Sequence, residues 1–294
     1  MDGLLVLDKP SGPTSHDVVA RMRRVLRERR IGHTGTLDPL ATGVLPIVIG
    51  RATRLARFLS SSEKTYEAVL RLGVATDTGD AQGTAVGARY EGPLPATEVI
   101  DRALDAFRGQ FLQQPPVFSA KKIAGQPSHR LARGQRGQTP PMVLTPLTPV
   151  AVTVRRLEIT ALEGDRLSLT LDCSAGFYVR ALAHDLGERL GTGAHLAALR
   201  RTRAGHLTLG DAIPLKAAAP EHVIPLSGML TDLPAMTLDA TAIARTVQGR
   251  DLAPGLGIRD SGFVRLLDET GDLVAIAEPS PGAPGLLHPS VVLR

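Results

Sequence analysis

The chain has 294 residues and a mass of 31.1 kDa, with 34 lysines and arginines against 29 acidic residues and a formal net charge of +5. Hydrophobic residues make up 43% and charged residues 21%, which is typical of a globular protein with a substantial core and excludes a chain disordered throughout. The longest apolar runs, such as residues 44–49, are far shorter than the roughly 20 residues of a membrane helix, and the first residues do not resemble a signal peptide. We therefore expect a cytoplasmic protein that does not insert into a membrane.

The single cysteine, Cys173, excludes an intramolecular disulfide and a thiolate metal cluster. Aromatic residues make up only 3%, with no tryptophan and three tyrosines. A surface that binds single strands by stacking many bases is therefore not expected, and each aromatic residue at a site has individual weight.

Positive charge is concentrated in two segments. Residues 106–157 contain eight lysines and arginines and no acidic residue, and residues 21–30 contain six arginines and one glutamate. Residues 235–294, in contrast, hold five arginines and seven acidic residues. A basic helix by itself is ordinarily a solvated surface, but two basic segments together favour a polyanionic partner, most simply nucleic acid.

The first quarter of the chain predicts short strands and helices in alternation. Thr14 and Asp17 have the spacing of a capping box, which begins a helix whose apolar residues share one face. Residues 65–72 alternate as in a half-buried strand, with Tyr66 on the apolar side. In chain order we predict a strand at 3–7, the helix that begins at Thr14, a glycine-rich loop at 31–43, a buried strand at 44–50, a short helix at 51–59 and the strand at 65–72.

The rest of the chain predicts a long basic loop, a helix that ends at a glycine and a small β-rich module. Residues 113–149 hold many Pro, Gly and Gln residues without apolar periodicity, and such long loops in compact domains are usually functional or disordered. In chain order we predict a helix at 97–108, the loop at 113–149, strands at 151–160 and 166–173, a helix at 178–190 that ends at Gly191, a linker at 214–235, and strands at 263–267 and 273–277.

Residues 32–46 carry the strongest functional pattern. Asp38 precedes Pro39, which disfavours a helical backbone at the aspartate, and Gly35 and Gly43 let the main chain approach a bulky group closely. A carboxylate on a rigid loop before an apolar strand suits a single positioned acid or nucleophile. A turn-forming aspartate before proline produces the same pattern, and the residues alone leave both interpretations open.

This segment closely resembles the catalytic motif of the TruB family of tRNA pseudouridine synthases. Other segments match the family's motifs in the family's order, namely Leu7-Asp8-Lys9-Pro10-Ser11-Gly12, Lys64-Thr65-Tyr66, Gly176-Phe177-Tyr178-Val179-Arg180 and residues 191–202. The resemblance covers residues 3–210, and residues 235–294 match a PUA-type RNA-binding module more weakly. A single motif of this kind does not identify the family, whereas five motifs in the family's order are specific to it.

The resemblance implies an α+β fold with a mixed, largely antiparallel central sheet flanked by helices. It implies a catalytic domain at 1–230, which includes the insertion at 113–149, and a small β-rich PUA-like domain at 235–294. The implied activity is isomerisation of uridine 55 in the TΨC loop of the tRNA T-arm to pseudouridine. Because this reaction involves no redox change and no net hydrolysis, it implies no metal and no organic cofactor, and we expect a monomer without an obligate protein partner.

By the same resemblance, Asp38 is the essential carboxylate, and Arg180 is the partner that would keep it ionised away from water. Tyr66 would stack on the target uracil and could act as a base late in the reaction, with Tyr178 packed nearby. Whether Asp38 attacks C1′ of the sugar, attacks C6 of the base or assists a glycal route is left open.

RNA contacts follow from the resemblance as well. His33 matches the residue that fills the space left by a flipped base, and the 113–149 insertion matches a segment that clamps the RNA arm. His129 stands where the family usually has a tyrosine, so the resemblance does not fix the detailed contacts of the insertion. The predicted RNA-binding residues are His33, Lys9, Pro10, Lys121, Lys122, Arg130 and Arg133.

Two other functions remain open: a tRNA-binding or folding factor with secondary catalysis, and a guide-dependent or rRNA-directed relative. The intact set of Asp38, Tyr66 and Arg180 argues against the first, and the lack of visible partner-binding extensions argues against the second. Asp77-Thr78-Gly79-Asp80 resembles an aspartic-protease triplet, but it occurs once and lacks the usual following serine, so we assign it no catalytic role.

Overall fold

The computed structural model describes residues 1–116, 148–255 and 262–294, together with the backbone of 122–123 and 126–127. Within these ranges the helices are α1 (Ser15–Val25), α2 (Ala56–Ser60), α3 (Thr97–Leu104), α4 (Val179–Leu190) and α5 (Ala240–Val247). The strands are β1 (Gly3–Lys9), β2 (Ile31–His33), β3 (Thr42–Ile49), β4 (Lys64–Leu72), β5 (Ala75–Thr76), β6 (Ala85–Val86), β7 (Gly109–Gln113), β8 (Lys122–Ile123), β9 (Gln126–Pro127), β10 (Val150–Glu163), β11 (Arg166–Cys173), β12 (Ala194–Ala204), β13 (Leu207–Thr208), β14 (Ile213–Pro214), β15 (Ala235–Thr237), β16 (Val264–Leu267), β17 (Leu273–Pro279) and β18 (Leu287–Val292).

A mixed sheet forms the centre of the molecule, in the order β14-β1-β3-β12-β4-β11-β10-β7, with β2 paired to β3 and β13 paired to β12. Among the described strand pairs of this sheet, only β1–β14 and β3–β12 are parallel. The predicted α+β class with a largely antiparallel central sheet is confirmed. No helix in the described ranges is both long enough and apolar enough to span a membrane.

Both faces of the sheet are covered, so successive residues of its inner strands enter different cores. In β1, Leu5 and Leu7 belong to the core beneath α1, α3 and α4, whereas Leu4 and Val6 belong to the core on the opposite face. This explains why β1 and β3 are almost continuously apolar instead of alternating with polar residues.

Helix α1 begins as predicted. The Thr14 hydroxyl accepts from the Asp17 N–H (3.1 Å), while the Asp17 carboxylate accepts from the Thr14 N–H (2.8 Å), which completes the capping box. Helix α4 ends at Gly191, whose φ of 68° suits glycine.

A second sheet, in the order β15-β16-β17-β18, lies at the carboxyl end of the chain. It packs against the core on the face of the central sheet that is opposite to α1, α3 and α4. Arg51 donates to Leu293 O (2.6 Å), and the Phe58 and Phe263 rings meet edge to face with their centroids 4.9 Å apart. The strand predictions at 263–267 and 273–277 are confirmed, whereas α5 and β18 were not predicted.

Three local predictions need correction. Residues 214–235 are not a loose linker: Ile224 exchanges two backbone hydrogen bonds with Leu4 (2.8 and 2.9 Å), and Met229 and Leu230 are buried. The predicted helix at 51–59 is a 3₁₀ segment, Gly50–Leu55, followed by the short α2. The loop at 31–43 starts with strand β2, because the backbone of residues 31–33 pairs with β3.

Candidate active site

The loop that carries Asp38 runs from β2 to β3 and is held by neighbouring elements. The Ser15 hydroxyl, in the first turn of α1, accepts from the Leu37 N–H (2.9 Å) and donates to Leu37 O (3.1 Å). The Gly12 N–H donates to Pro39 O (2.8 Å). The backbone on either side of Asp38 is therefore fixed by contacts that a free loop would lack.

Lys9 lies beneath this loop. Its side chain is fully buried, and Nζ donates to Ala41 O (2.7 Å), Pro10 O (3.0 Å) and Pro39 O (3.4 Å). Burial lowers the pKa of Lys9 to about 8, against the opposing effect of the Asp38 charge. Its three donors are used on loop and strand-end carbonyls inside the protein, which favours a support for the loop, and the RNA contact of Lys9 stays a prediction. Pro10, the next residue, is exposed.

Asp38 and Arg180 meet through two hydrogen bonds. Arg180 Nε donates to Asp38 Oδ2 (2.8 Å) and Nη2 donates to Oδ1 (3.3 Å). Arg180 lies in the first turn of α4, after a turn in which Gly176 has a φ of 86°. The arginine side chain is 6% exposed and that of Asp38 is 31% exposed, so the pair fixes the carboxylate while one of its edges stays accessible.

Arg180 has further polar neighbours, which the sequence prediction missed. Nη1 donates to Thr78 O (3.0 Å), and Asp80 Oδ2 lies 3.9 Å from Nε. Asp80 is 5% exposed and accepts from the Thr78 hydroxyl (2.7 Å) and the Gln82 N–H (3.0 Å). A backbone bridge to Leu196 brings this turn to the site. The segment at residues 77–80, to which we assigned no catalytic role from the sequence, therefore supplies a second carboxylate near Arg180.

A pocket of about 390 Å³ opens over the Asp38–Arg180 pair, a volume in the range of small-molecule sites. All four predicted catalytic residues line this pocket. Its wall includes Asp38, Tyr66, Tyr178 and Arg180 and the predicted RNA-binding residue His33. It also includes Lys64, Leu199 and Arg201, which lie in the matched family motifs but received no role from the sequence.

Tyr66 is on the inward face of β4 and is 8% exposed. Burial raises the pKa of Tyr66, while the positive charge of Arg201 acts in the opposite direction. Tyr178 immediately precedes α4 and is half-buried at the pocket wall. Tyr66 thus comes from strand β4 and Tyr178 from the residue before α4, and both line the same pocket.

His33 ends β2 at the edge of the pocket. Its ring contacts that of His16 edge to face, with centroids 5.5 Å apart, and its buried Nδ1 has no hydrogen-bond partner among the described residues. Burial, and then the charges of His16 and Arg201, lower the pKa of His33 to about 4. The imidazole is therefore neutral at neutral pH.

The predicted RNA contacts Lys121, Arg130 and Arg133 lie outside the described residues, as does His129. Of Lys122 only the backbone is described, and it pairs with Pro127 in the two-stranded β8–β9 ribbon. Within the described part of the chain, no three His, Cys, Asp or Glu side chains lie together in a way that could hold a metal ion.

Comparisons with known proteins identify relatives of the chain. The model of the TruB family pseudouridylate synthase N-terminal domain matches residues 23–179, and that of the tRNA pseudouridylate synthase B C-terminal domain matches residues 180–220. A crystal structure of a Cbf5–Nop10–Gar1 complex aligns with a TM-score of 0.72 at 27% identity, covering 99% of this chain and 85% of that chain. An H/ACA RNP bound to a substrate RNA containing 2′-deoxyuridine aligns with a TM-score of 0.69 at 25% identity, with the same coverage of both chains.

The sheet, the pocket and the matched family models define the class as pseudouridine synthases. The tRNA pseudouridine synthase B of Solibacter usitatus is 43% identical over the full length of both chains. That of Aromatoleum aromaticum is 41% identical over 92% of this chain and 86% of its own length. The chain belongs to the TruB family.

Proposed function

We propose that this chain converts uridine 55 in the TΨC loop of tRNA to pseudouridine. Full-length similarity to relatives named tRNA pseudouridine synthase B supports tRNA as the substrate. The observation that carries the proposal is the two-point contact of Arg180 with Asp38 at a pocket whose wall includes Tyr66. A fixed carboxylate beside an aromatic ring suits a reaction in which one nucleoside must be held while its glycosidic bond is exchanged.

The isomerisation breaks the bond from N1 to C1′ and forms one from C5 to C1′, while C5 loses a proton and N1 gains one. Asp38 supplies the carboxylate that acts at C1′, at C6 or in a glycal route, and each route requires its accessible edge to face the nucleotide. Arg180 holds the carboxylate in place. Tyr66, whose side chain lines the pocket, takes the C5 proton late in the reaction.

The target base must leave its stack to reach Asp38, which costs a few kcal/mol. We infer that His33 occupies the space that the base vacates. A neutral imidazole suits contact with bases better than contact with phosphates, in agreement with the lowered pKa of His33. We assign the other RNA contacts to Pro10, to Lys121, Lys122, Arg130 and Arg133 of the insertion, and to the PUA-like module at 235–294.

The test is to incubate the purified chain with an unmodified tRNA transcript and to map pseudouridine by carbodiimide-dependent primer stops. We expect a single modified position, uridine 55, and no modification by Asp38→Asn, which keeps the shape but loses the charge. The matched control is Asp165→Asn, since Asp165 pairs with Arg71 (2.8 Å) away from the pocket. A stop at another uridine would contradict the assigned position, and turnover by Asp38→Asn would remove Asp38 from its role.

A guide-dependent function has one observation in its favour, the likeness to proteins solved within H/ACA complexes. The higher identity to the tRNA synthases favours a chain that acts alone, and we infer a cytoplasmic monomer. The purified chain should therefore modify a free transcript without a guide RNA or a partner protein. Activity only after such an addition would favour the guide-dependent function.

A further inference from the structure

Arg201 is one of the largest fully buried side chains of the described residues, at 1% exposure. It lies on β12, between Gly43 of β3 and Tyr66 of β4, which are its register partners on the two sides. Its side chain lines the pocket. None of the roles assigned above uses this arginine.

The guanidinium of Arg201 joins the two ends of the loop that carries Asp38. Nε donates to Val44 O (2.7 Å), after Asp38 in the chain, and Nη2 donates to Gly35 O (3.1 Å), before it. Arg201 lies very close to both glycines of the loop. A Cβ on Gly35 would lie 3.3 Å from Nη1, and one on Gly43 would lie 2.1 Å from Arg201 O. The glycines thus leave room for the arginine to pass.

The same guanidinium belongs to the register partner of Tyr66 on the neighbouring strand, and its positive charge opposes the effect of burial on the pKa of the phenol. Among the described ion pairs none includes Arg201, although a buried cation without an acidic partner costs stability. Its described hydrogen-bond partners are two carbonyls, whereas the neighbouring phenol of Tyr66 is a group that can become an anion.

We propose that Arg201 is a positioning residue for the isomerisation proposed above, on which this inference rests. It fixes the two ends of the Asp38 loop next to Tyr66, and its positive charge stabilises the phenolate form of that tyrosine. The phenol releases its proton to solvent, the phenolate takes the proton that C5 loses, and N1 takes an equivalent proton from solvent. The proton balance of the isomerisation closes without another acid or base.

Two substitutions separate the charge of Arg201 from its shape. Arg201→Lys keeps the charge but cannot donate to both loop carbonyls in the same fork, and Arg201→Gln removes the charge. The matched control is Arg203→Gln on the same strand, which breaks a contact of β12 with β4, Nε to Thr65 Oγ1 (2.9 Å). With enzyme in excess over tRNA transcript, we expect the single-turnover rate to fall about 10²-fold in Arg201→Lys and further in Arg201→Gln. The Kd for tRNA should stay unchanged, and Arg203→Gln should match the unsubstituted chain.

The pH dependence of that rate separates charge stabilisation from a structural effect. Loss of the cation makes the phenolate harder to form, so the rate of Arg201→Gln should rise with pH at higher values than that of the unsubstituted chain. Arg201→Lys should follow the unsubstituted pH profile at a lower rate.

Tyrosine NMR gives a readout that does not depend on activity. The chain has only three tyrosines, so ¹³C labelling at the ring carbon that bears oxygen gives three signals. The Tyr66 signal, assigned with Tyr66→Phe, should move in both Arg201 variants and stay in place in Arg203→Gln. The Tyr90 signal serves as the internal reference.

Rates equal to the control's, or a Tyr66 signal that does not move in either Arg201 variant, would overturn the inference. If Arg201→Gln does not fold, a double-mutant cycle takes its place. Arg201→Lys should then lower the single-turnover rate by a smaller factor in the Tyr66→Phe background than in the unsubstituted chain. An equal factor in both backgrounds would overturn the inference. If the unsubstituted chain forms no pseudouridine, the proposed function fails, whereas the Tyr66 signal still tests the contact itself.

Discussion

Gln113 forms two hydrogen bonds with the main chain of Tyr178, whose N–H donates to Oε1 (2.8 Å) and whose carbonyl accepts from Nε2 (3.0 Å). Gln113 is 1% exposed and is the last residue of β7, where the basic insertion starts. Tyr178 immediately precedes the helix that carries Arg180. The base of the insertion and the pocket wall are therefore tied together by one amide side chain.

Gln113→Leu should disturb the pocket from this position. Leucine is similar in size but leaves the N–H and carbonyl of Tyr178 without these partners, and a buried polar group without a partner costs about 1–3 kcal/mol. We expect the free energy of unfolding, measured by urea denaturation, to fall by about that amount, and kcat for pseudouridine formation to fall with it. Gln110→Leu, at an exposed position of the same strand, is the control. Equal stability of the two variants would contradict the role of Gln113.

Asp80→Asn tests the second carboxylate beside Arg180. The amide can still accept from Thr78 and Gln82 but removes a charge that lies 3.9 Å from Arg180 Nε. We expect kcat to fall about tenfold, or about 1.4 kcal/mol in activation free energy, with unchanged Kd for tRNA. The control is Asp77→Asn in the same turn, where the carboxylate is exposed and accepts from the Thr84 N–H. A rate for Asp80→Asn equal to that of Asp77→Asn would show that Asp80 only shapes the turn.

Local patterns predicted the elements that depend on neighbours in sequence. The capping box of Thr14 and Asp17 and the alternation around Tyr66 need only a few adjacent residues, and both are present in the structure. The family resemblance named Asp38, Tyr66 and Arg180, and the structure brings all three to one pocket. Their catalytic roles stay predictions.

Residues that act at long range could not be found in this way. Arg201 meets Tyr66 only because β12 pairs with β4, and Gln113 meets Tyr178 only because β7 ends beside the start of α4. Motif membership also did not reveal burial: Lys9 stands beside an exposed proline, yet its ammonium group lies inside the protein. Burial of this kind depends on the sheet as a whole, which no short pattern encodes.

His33 should make the fold sensitive to acid. Its pKa in the folded chain is about 4, below the ordinary value of 6.5, so between these values the unfolded chain binds more protons. The free energy of unfolding should therefore fall as pH falls from 6.5 to 4. In His33→Gln this decline should be shallower, whereas His206→Gln, at an exposed position, should keep the full decline. Urea denaturation at pH 7, 5.5 and 4.5 measures the slopes, and parallel slopes in all three proteins would contradict the burial of His33.

Lys9→Met separates a support for the loop from an RNA contact. Methionine keeps the apolar stem but leaves the carbonyls of Ala41 and Pro39 without the ammonium. We expect kcat to fall because the Asp38 loop loosens, while the dependence of Kd for tRNA on salt concentration keeps its slope. A phosphate contact would instead reduce that slope by about 1 on removal. Filter binding at several salt concentrations distinguishes the two roles.

The buried ammonium of Lys9 also predicts how stability depends on pH. Its pKa is about 8 in the folded chain and 10.5 in a free lysine, so between these values the unfolded chain binds more protons. The folded state therefore gains stability from this residue as pH rises through that window, because the cost of the buried charge is relieved. Relative to Lys9→Met, the unsubstituted chain should become more stable from pH 8 to pH 10. A constant difference between the two proteins in urea denaturation over this range would mean that Lys9 is not held as a buried ammonium near neutral pH.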